Sequence, residues 1–237
     1  MPDRVAIVTG AARGQGAAIV RRLRAQGCSV VAMDLVRPES DDQSVVDCQG
    51  DIREEADWRA VVETAVERFG ALHVLVNNAG VLRSGSIADE TAAGMRALWE
   101  VNFLGAFLGV QAALPALRAA AREQDAVIVN TLSTAACRGF AHHSAYSSSK
   151  FALRGFTQSA ASELSRDRIR VNAVIPGPIA TPMLDPVVVE RLGKDLLVGR
   201  AGTAEDVAEV VAFLVSPAAS FITGSEYSVD GGQLTRI

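Results

Sequence analysis

Short runs of aliphatic and β-branched residues alternate along the chain with longer stretches whose apolar positions recur about every three to four residues. The short runs at Val5–Thr9, Val30–Asp34, Val45–Asp47, Val74–Asn77, Val127–Thr131, Arg170–Val174 and Tyr227–Val229 predict strands. The periodic stretches near Gln15–Gln26, Glu54–Phe69, Met95–Ala121, Ser144–Arg166 and Ala204–Val215 predict helices. Gly27 and Gly70 follow helix ends, where a left-handed residue is expected. Strands separated by helices form a parallel sheet with crossover connections, so the fold class is α/β: a doubly wound, about seven-stranded parallel sheet with helices on both faces. No Ser/Pro-rich linker, charge block or fixed-period repeat interrupts the pattern, and residues 1–237 are read as a single domain.

Two helical stretches are too apolar for one buried face. Leu98–Leu117 carries no charge after Glu100, and the stretch with Phe151, Leu153, Phe156, Ala160, Ala161 and Leu164 is apolar around most of its circumference. One sheet face covers only one side of a helix, so a subunit interface is expected, in a homo-oligomer that is a dimer or tetramer. The longest apolar run, Phe103 to Leu117, includes Gln111 and Pro115 and falls short of the roughly 20 residues that cross a bilayer. The N-terminus, Met-Pro-Asp-Arg before the first strand, leaves no room for a secretory signal, so neither membrane nor export is expected.

With 49% hydrophobic and 21% charged residues, the 237-residue chain can bury a sizeable core. A formal net charge of −4 argues against nucleic acid or anionic lipid as a partner, and Arg21, Arg22 and Arg24 fan around a solvated helix. The three cysteines, Cys28, Cys48 and Cys137, are dispersed and form no C-x-x-C pair, which fits a reducing cytoplasm better than a disulfide framework or zinc site. Three histidines and two tyrosines limit the chemistry open to the protein.

The first strand runs into Thr9-Gly10-Ala11-Ala12-Arg13-Gly14-Gln15-Gly16 and then a helix. Glycines there let backbone N–H groups approach a pyrophosphate, which the helix N-terminus favours electrostatically. Asp34 closes the second strand, where a carboxylate accepts hydrogen bonds from an adenosine ribose and repels a 2′-phosphate, so NAD is favoured over NADP. Asp51-Ile52 reads as a helix N-cap acid with an apolar neighbour, and Asn77-Asn78-Ala79-Gly80 as a turn whose amides bond backbone edges. All four segments end strands at the carboxyl edge of the sheet, where open α/β sheets bind ligands.

Tyr146-Ser147-Ser148-Ser149-Lys150 opens an apolar helix, and positions i and i+4 share a face, so the phenol and ammonium project into one space. A phenolate base near neutrality needs a pKa lowered from about 10, which a neighbouring ammonium favours. Ser133 places a hydroxyl at the same edge, able to bond a carbonyl or alkoxide. Asn102 is polar where the helical period calls for a buried residue, and its amide needs partners, either in a network reaching the lysine through water or at a local kink.

Taken together and in order, these elements resemble the short-chain dehydrogenase/reductase family over essentially the whole chain. The resemblance rests on Thr-Gly-x3-Gly-x-Gly at 9–16, Asn-Asn-Ala-Gly at 77–80, Asn102, Ser133 and Tyr-x3-Lys at 146–150, with Pro-Gly at 176–177, Thr181 and Val-Asp-Gly-Gly at 229–232. It implies a Rossmann-type fold and an oxidoreductase that moves a hydride between NAD(H) and a small-molecule secondary alcohol or ketone. It implies Tyr146 as general acid/base, Lys150 as the residue that lowers its pKa and holds the nicotinamide ribose, Ser133 as the group positioning substrate oxygen, and Asn102 as part of a proton relay. Gly10, Arg13, Gly14, Gln15 and Gly16 would surround the pyrophosphate and neighbouring ribose. Asp51, Ile52, Asn78 and Gly80 would hold the adenosine side; Gly177, Ile179 and Thr181 would meet the nicotinamide end. Gln15 departs from the family pattern, which places Ile or Leu there.

Residues 182–202, with Met183, Leu184, Val187, Val188, Val189, Leu192, Leu196 and Leu197, resemble the family's substrate lid in a short form; a packed connecting helix is the alternative. Their apolar content, with Cys137 and Phe140, favours a hydrophobic or cyclic substrate, whereas Arg138, His142 and His143 would suit an acidic group. Within the family the chain resembles bacterial NAD-dependent 3α/20β-hydroxysteroid dehydrogenases through Asp57-Trp58 and the segment Asp167 to Asn172. Cyclic-diol dehydrogenases and 3-oxoacyl carrier-protein reductases are the alternatives, the last opposed by Asp34. A non-catalytic NAD-binding sensor or scaffold is the alternative of another class, opposed by the presence of all four catalytic residue types.

Overall fold

The structure, a computed structural model, describes residues 4–235 except 39 and 41. Its strands are β1 (Val5–Thr9), β2 (Ser29–Asp34), β3 (Val45–Gln49), β4 (Val74–Asn77), β5 (Ala126–Thr131), β6 (Ile169–Pro176) and β7 (Glu226–Val229). Its α-helices are α1 (Gly14–Ala25), α2 (Glu55–Phe69), α3 (Ala92–Trp99), α4 (Gly105–Ala120), α5 (Ser144–Leu164), α6 (Pro186–Lys194) and α7 (Ala204–Val215). The seven strands are ordered β3-β2-β1-β4-β5-β6-β7, and every pairing is parallel. This is a doubly wound, Rossmann-type sheet, and the order reverses between β1 and β4, which opens a crevice at their carboxyl ends.

Alternate strand residues feed two cores. Ala6, Val8, Val30, Val74, Val127 and Val129 face α1 and α7. Val5, Ile7, Val31, Leu75, Ile128 and Val171 face α2, α4 and α5. Burial on both faces is why these strands read as continuous apolar runs rather than alternating ones. Gly70 caps α2 at φ 83°, and Gly27 takes φ 86° just past α1, a conformation glycine adopts without steric cost.

The stretch expected to be helical from Met95 starts earlier, at Ala92, and is not uniformly α-helical: Glu100–Leu104 widens into a π-helical segment between α3 and α4. The continuous helix Ala92–Ala120 has 29 residues and, by length and composition alone, is apolar enough to cross a membrane. Here it packs with α2 and α5 on one sheet face. Its glycines permit that packing, since a Cβ on Gly109 would lie 2.5 Å from the Trp58 ring and one on Gly105 would lie 2.7 Å from Ile52. Trp58 in turn donates its indole N–H to the Ile52 carbonyl at 2.9 Å, fixing the segment after β3. Asp51 does not cap α2. That helix begins after Glu54, and the Asp51 carboxylate pairs with Arg53 instead.

At the opposite edge of the sheet, Arg4 and Arg170, both nearly fully buried, grip the Asp125 carboxylate at 2.8 and 2.7 Å. Beside them the buried His73 ring accepts the Val5 N–H at Nδ1, 3.1 Å away, a bond that requires neutral imidazole. Burial, reinforced by Arg4 and opposed by Glu123, holds the His73 pKa below its usual 6.5. The native state therefore binds fewer protons than the unfolded chain at mildly acid pH. The stabilising bond is fully present above about pH 6.5 and is lost as pH falls through the depressed native value. In thermal melts from pH 7.5 to 5, we expect wild type to lose more stability than His73→Gln, which keeps a neutral acceptor; parallel curves would show that His73 does not contribute.

Candidate active site

The crevice between β1 and β4 is held by hydrogen bonds between the two strand ends. The Thr9 hydroxyl accepts the N–H groups of Asn78 and Ala79 at 3.1 and 3.0 Å. The Asn78 amide donates to the Thr9 and Gly10 carbonyls at 2.9 and 3.4 Å. That amide is thus occupied by backbone. The glycine turn bends through Gly10 at φ 66° and Gly14 at φ 56°, and a Cβ on Gly10 would lie 2.9 Å from Ala79. Gly16 lies against the Gly10 carbonyl and the Asn78 amide, leaving no space for a side chain.

This turn fits a dinucleotide phosphate. Arg13, at the N-cap of α1, is exposed and gives no side-chain cap, and the first turn carries no acid. α3, α6 and α7 differ, being capped by Thr91, Asp185 and Thr203. The uncapped N–H groups of α1 remain open to an anion, and the helix dipole favours one. Asp34, at the end of β2, accepts the Ala12 N–H at 3.0 Å and the Val36 N–H at 3.3 Å, which orients its carboxylate beside the turn with further lone pairs to offer.

Asp51 and Ile52 lie beyond β3; the Arg53 guanidinium holds the Asp51 carboxyl below the usual carboxylate range. Gly80 lies by Lys150: a Cβ there would lie 3.4 Å from Nζ and 3.1 Å from Asn102 Oδ1. Across the crevice, Gly177 donates its N–H to the Val229 carbonyl at 3.1 Å, and Ile179 is buried. Thr181 lies against Gly14, 3.4 Å from the position of a Cβ there.

Ser133 stands just past β5 and accepts the Ala135 N–H at 3.1 Å, capping a short 3-10 turn at Thr134–Ala136. Its hydroxyl neighbours the Tyr146 phenol and draws that group's pKa down. Lys150, 4% exposed, donates from Nζ to the Thr131 carbonyl at 2.9 Å. Burial pushes the Tyr146 phenol up, offset in part by the Ser133 hydroxyl, and pushes Lys150 down to about 8. The Lys150 ammonium thus turns to the backbone of β5. α5 itself is tied to the sheet by a buried chain: Asn77 donates to Asn130 at 2.9 Å, Asn130 to Thr157 at 2.9 Å, and Thr157 to the Leu153 carbonyl at 2.7 Å.

Asn102 lies in the π segment, where its amide makes three hydrogen bonds. Its Oδ1 accepts the Val81 N–H at 2.8 Å, and its Nδ2 donates to the Val81 carbonyl at 2.9 Å and the Ser149 hydroxyl at 3.1 Å. It therefore clamps the chain after Gly80 to the residue preceding Lys150. Ser149 was not singled out in the sequence; its only signal was adjacency to Lys150. Ser84 was likewise missed as a partner of His143, whose Nε2 lies 3.0 Å from its hydroxyl while Nδ1 faces the Ala141 carbonyl at 2.9 Å. The His143 ring stands edge-on to Phe140 and Tyr146, and Arg138 lies over Phe140. His142 is held at the same rim, its carbonyl accepting the Gly85 N–H at 2.8 Å.

The segment 182–202 contains α6, and its last residue, Gly202, is bridged to Ile179, three residues before its start. Leu196 packs against Gly231, and Val198 donates to the Gly231 carbonyl at 3.2 Å. Met183, Val187, Leu197 and Val198 are exposed.

Residues 10–233 match the profile of a family described as enoyl-(acyl carrier protein) reductase. The chain is 39% identical over 235 residues to a 3-alpha-(or 20-beta)-hydroxysteroid dehydrogenase of Mycobacterium tuberculosis (strain ATCC 25618 / H37Rv), covering 97% of this chain and 88% of the relative. It is 35% identical over 246 residues to a trans-4-hydroxycyclohexanecarboxylate dehydrogenase of Sinomonas cyclohexanicum, covering 98% and 93%. A crystal structure of a 3-ketoacyl-(acyl-carrier-protein) reductase from Brucella melitensis complexed with NADH superposes with a TM-score of 0.93 at 31% identity, covering 98% of each chain.

Replacing Asn102 by Leu would remove the partner of the Val81 N–H and carbonyl, both part-buried, at about 0.5–1.5 kcal/mol for each bond. We expect Asn102→Leu to lower stability by about 1–3 kcal/mol in urea unfolding, with faster hydrogen exchange at the Val81 amide. Unchanged exchange at Val81 would contradict the clamp.

Proposed function

The chain belongs to the short-chain dehydrogenase/reductase family and is an oxidoreductase of CH–OH groups using a nicotinamide cofactor, and from that premise we propose that it is an NAD(H)-dependent dehydrogenase interconverting a hydrophobic or cyclic secondary alcohol, such as a hydroxysteroid, with its ketone. The observation that carries this reading is the placement of the Ser133 hydroxyl and the Tyr146 phenol together beside a buried Lys150, all next to a phosphate-binding turn. The bound nicotinamide supplies the hydride acceptor or donor. In our reading Gly10, Arg13, Gly14 and Gly16 hold the phosphates, Asp51 and Ile52 border the adenine side, and Gly177, Ile179 and Thr181 the nicotinamide side.

Tyr146 transfers the proton to or from the substrate oxygen, which the Ser133 hydroxyl orients within hydrogen-bond reach. With the phenol pushed up by burial, Tyr146 holds its proton at neutral pH, the state that protonates a ketone oxygen during reduction. Lys150 places a positive charge near the cofactor ribose, and Asn102 keeps Gly80 and Ser149 in place around it. Segment 182–202 closes over the substrate, and its apolar side chains, with Phe140, suit a hydrophobic ring. The hydroxysteroid and hydroxycyclohexanecarboxylate relatives support a cyclic substrate.

We further propose a homo-oligomer, dimer or tetramer, joined across α3, α4 and α5. Met95, Trp99, Leu104, Phe107 and Phe151 expose a continuous apolar stripe there. The odd, dispersed cysteines support a cytoplasmic location.

Tyr146→Phe should lower kcat by about 10²–10⁴-fold across a panel of cyclic ketones, measured at the nicotinamide absorbance, while NADH binding by fluorescence is retained. Undiminished turnover would remove Tyr146 from the chemistry. Asp34 should make NADH bind more tightly than NADPH, and Asp34→Ser should narrow the gap by relieving repulsion of the 2′-phosphate. A wild-type preference for NADPH would overturn the NAD assignment.

A further inference from the structure

Two loops meet beside the proton-transfer site through contacts that the proposed reaction does not use. Ser84 lies on the chain leaving β4, and His143 immediately precedes α5. The Gly85 N–H donates to the His142 carbonyl at 2.8 Å, and the Ser84 hydroxyl lies 3.0 Å from His143 Nε2. His142 takes φ 63°, a left-handed conformation that costs energy in a non-glycine residue and persists where the surroundings hold it, most often at functional sites. Both loops are fixed where they approach the site: Asn102 bonds the two backbone groups of Val81, and the His143 ring stands edge-on to Tyr146 with 6.3 Å between centroids.

The proton on His143 follows from its other nitrogen. Nδ1 faces the Ala141 carbonyl at 2.9 Å, and a carbonyl only accepts, so in the neutral ring Nδ1 carries the proton. Nε2 is then an acceptor and takes the Ser84 proton. The exposed Ser84 oxygen has spent its one proton and keeps lone pairs to offer, so it can accept a further hydrogen bond but not donate one. Arg83 beside it is paired with Glu90, and Arg138 lies over the Phe140 ring. A carboxylate brings only acceptors and would meet an oxygen with nothing to give; a hydroxyl brings the missing donor.

We propose that Ser84, oriented by His143, is a specificity-determining residue that accepts a hydrogen bond from a second hydroxyl group of the substrate, so the preferred substrates are cyclic hydroxyketones and the diols formed from them. This deepens the reading above and rests on it: Tyr146 and Ser133 meet the reacting oxygen, and Ser84 meets a hydroxyl elsewhere on the ring. An apolar ring in the same place would cover the Ser84 oxygen without a donor, which disfavours unsubstituted ketones.

The test measures kcat and KM, with NADH and with NADPH, for cyclohexanone and its isomeric monohydroxy derivatives. Wild type should favour at least one hydroxyketone over cyclohexanone by about three- to tenfold in kcat/KM, the worth of one neutral hydrogen bond. Ser84→Ala should lose that preference through KM, and Ser84→Thr, which keeps the hydroxyl, should retain it. His143→Phe, which keeps an aromatic edge against Tyr146 but cannot orient Ser84, should also lower the preference. The proposal is overturned by no preference in wild type, by an unchanged preference in Ser84→Ala or His143→Phe, by an equal loss in Ser84→Thr and Ser84→Ala, or by proportional losses on cyclohexanone and the hydroxyketones. Wild type that reduces none of these ketones with either cofactor instead overturns the cyclic-ketone reading beneath it.

Discussion

The ends of β1 and β4 diverge where the strand order reverses, and their backbone groups must find partners outside the ladder. Thr9 and Asn78 provide them: a hydroxyl takes two N–H groups from the β4 side, and a carboxamide donates to two carbonyls on the β1 side. Leaving such groups unpaired in the interior is costly, so the lock holds the crevice at one width. Gly10 and Gly16 are needed because the lock draws the turn against β4 with no room for a Cβ. The open N-terminus of α1 and the Asp34 carboxylate both take their positions from that turn.

A second polar clamp extends the first into the proton-transfer side. The π segment turns Asn102 inward, where it binds both backbone groups of Val81 as a neighbouring strand would. Through Ser149 the same amide fixes the residue before Lys150. The chain leaving β4 and the helix bearing Tyr146 and Lys150 are thereby held together, while Asn77, Asn130 and Thr157 anchor that helix to the sheet below. Neutral hydrogen bonds do this work in a region where burial disfavours charge, as the opposed shifts of Tyr146 and Lys150 record. The strong ion pairing of Arg4, Asp125 and Arg170 lies at the far edge of the sheet, away from the site.

Much of this was legible in the chain itself. All seven predicted strands are present, since fully buried parallel strands write themselves as short apolar runs. Gly27 and Gly70 marked helix ends because a left-handed residue favours glycine. Tyr146, Ser133, Lys150, Gly80 and Asn102 gather at one edge as their order along the chain suggested. The π segment was not legible beyond the single oddity of Asn102, because a change of helical period over one turn leaves no pattern of its own. The pairing of Asp51 with Arg53 escaped for a related reason: several local partners are available to a carboxylate, and small geometric differences choose among them.

The sequence by itself determined the layers, the direction of the strands and the residue types at the crevice, because these follow from periodicity, turn chemistry and the rules for parallel connections. Tertiary structure alone decided the partners. Asn102 bonds Val81, Lys150 turns to Thr131, and Gly80 sits beside Lys150. Each of those choices depends on the distance between elements far apart in the chain. A hydrogen bond is made or missed within about half an ångström, finer than any pattern in the sequence can specify.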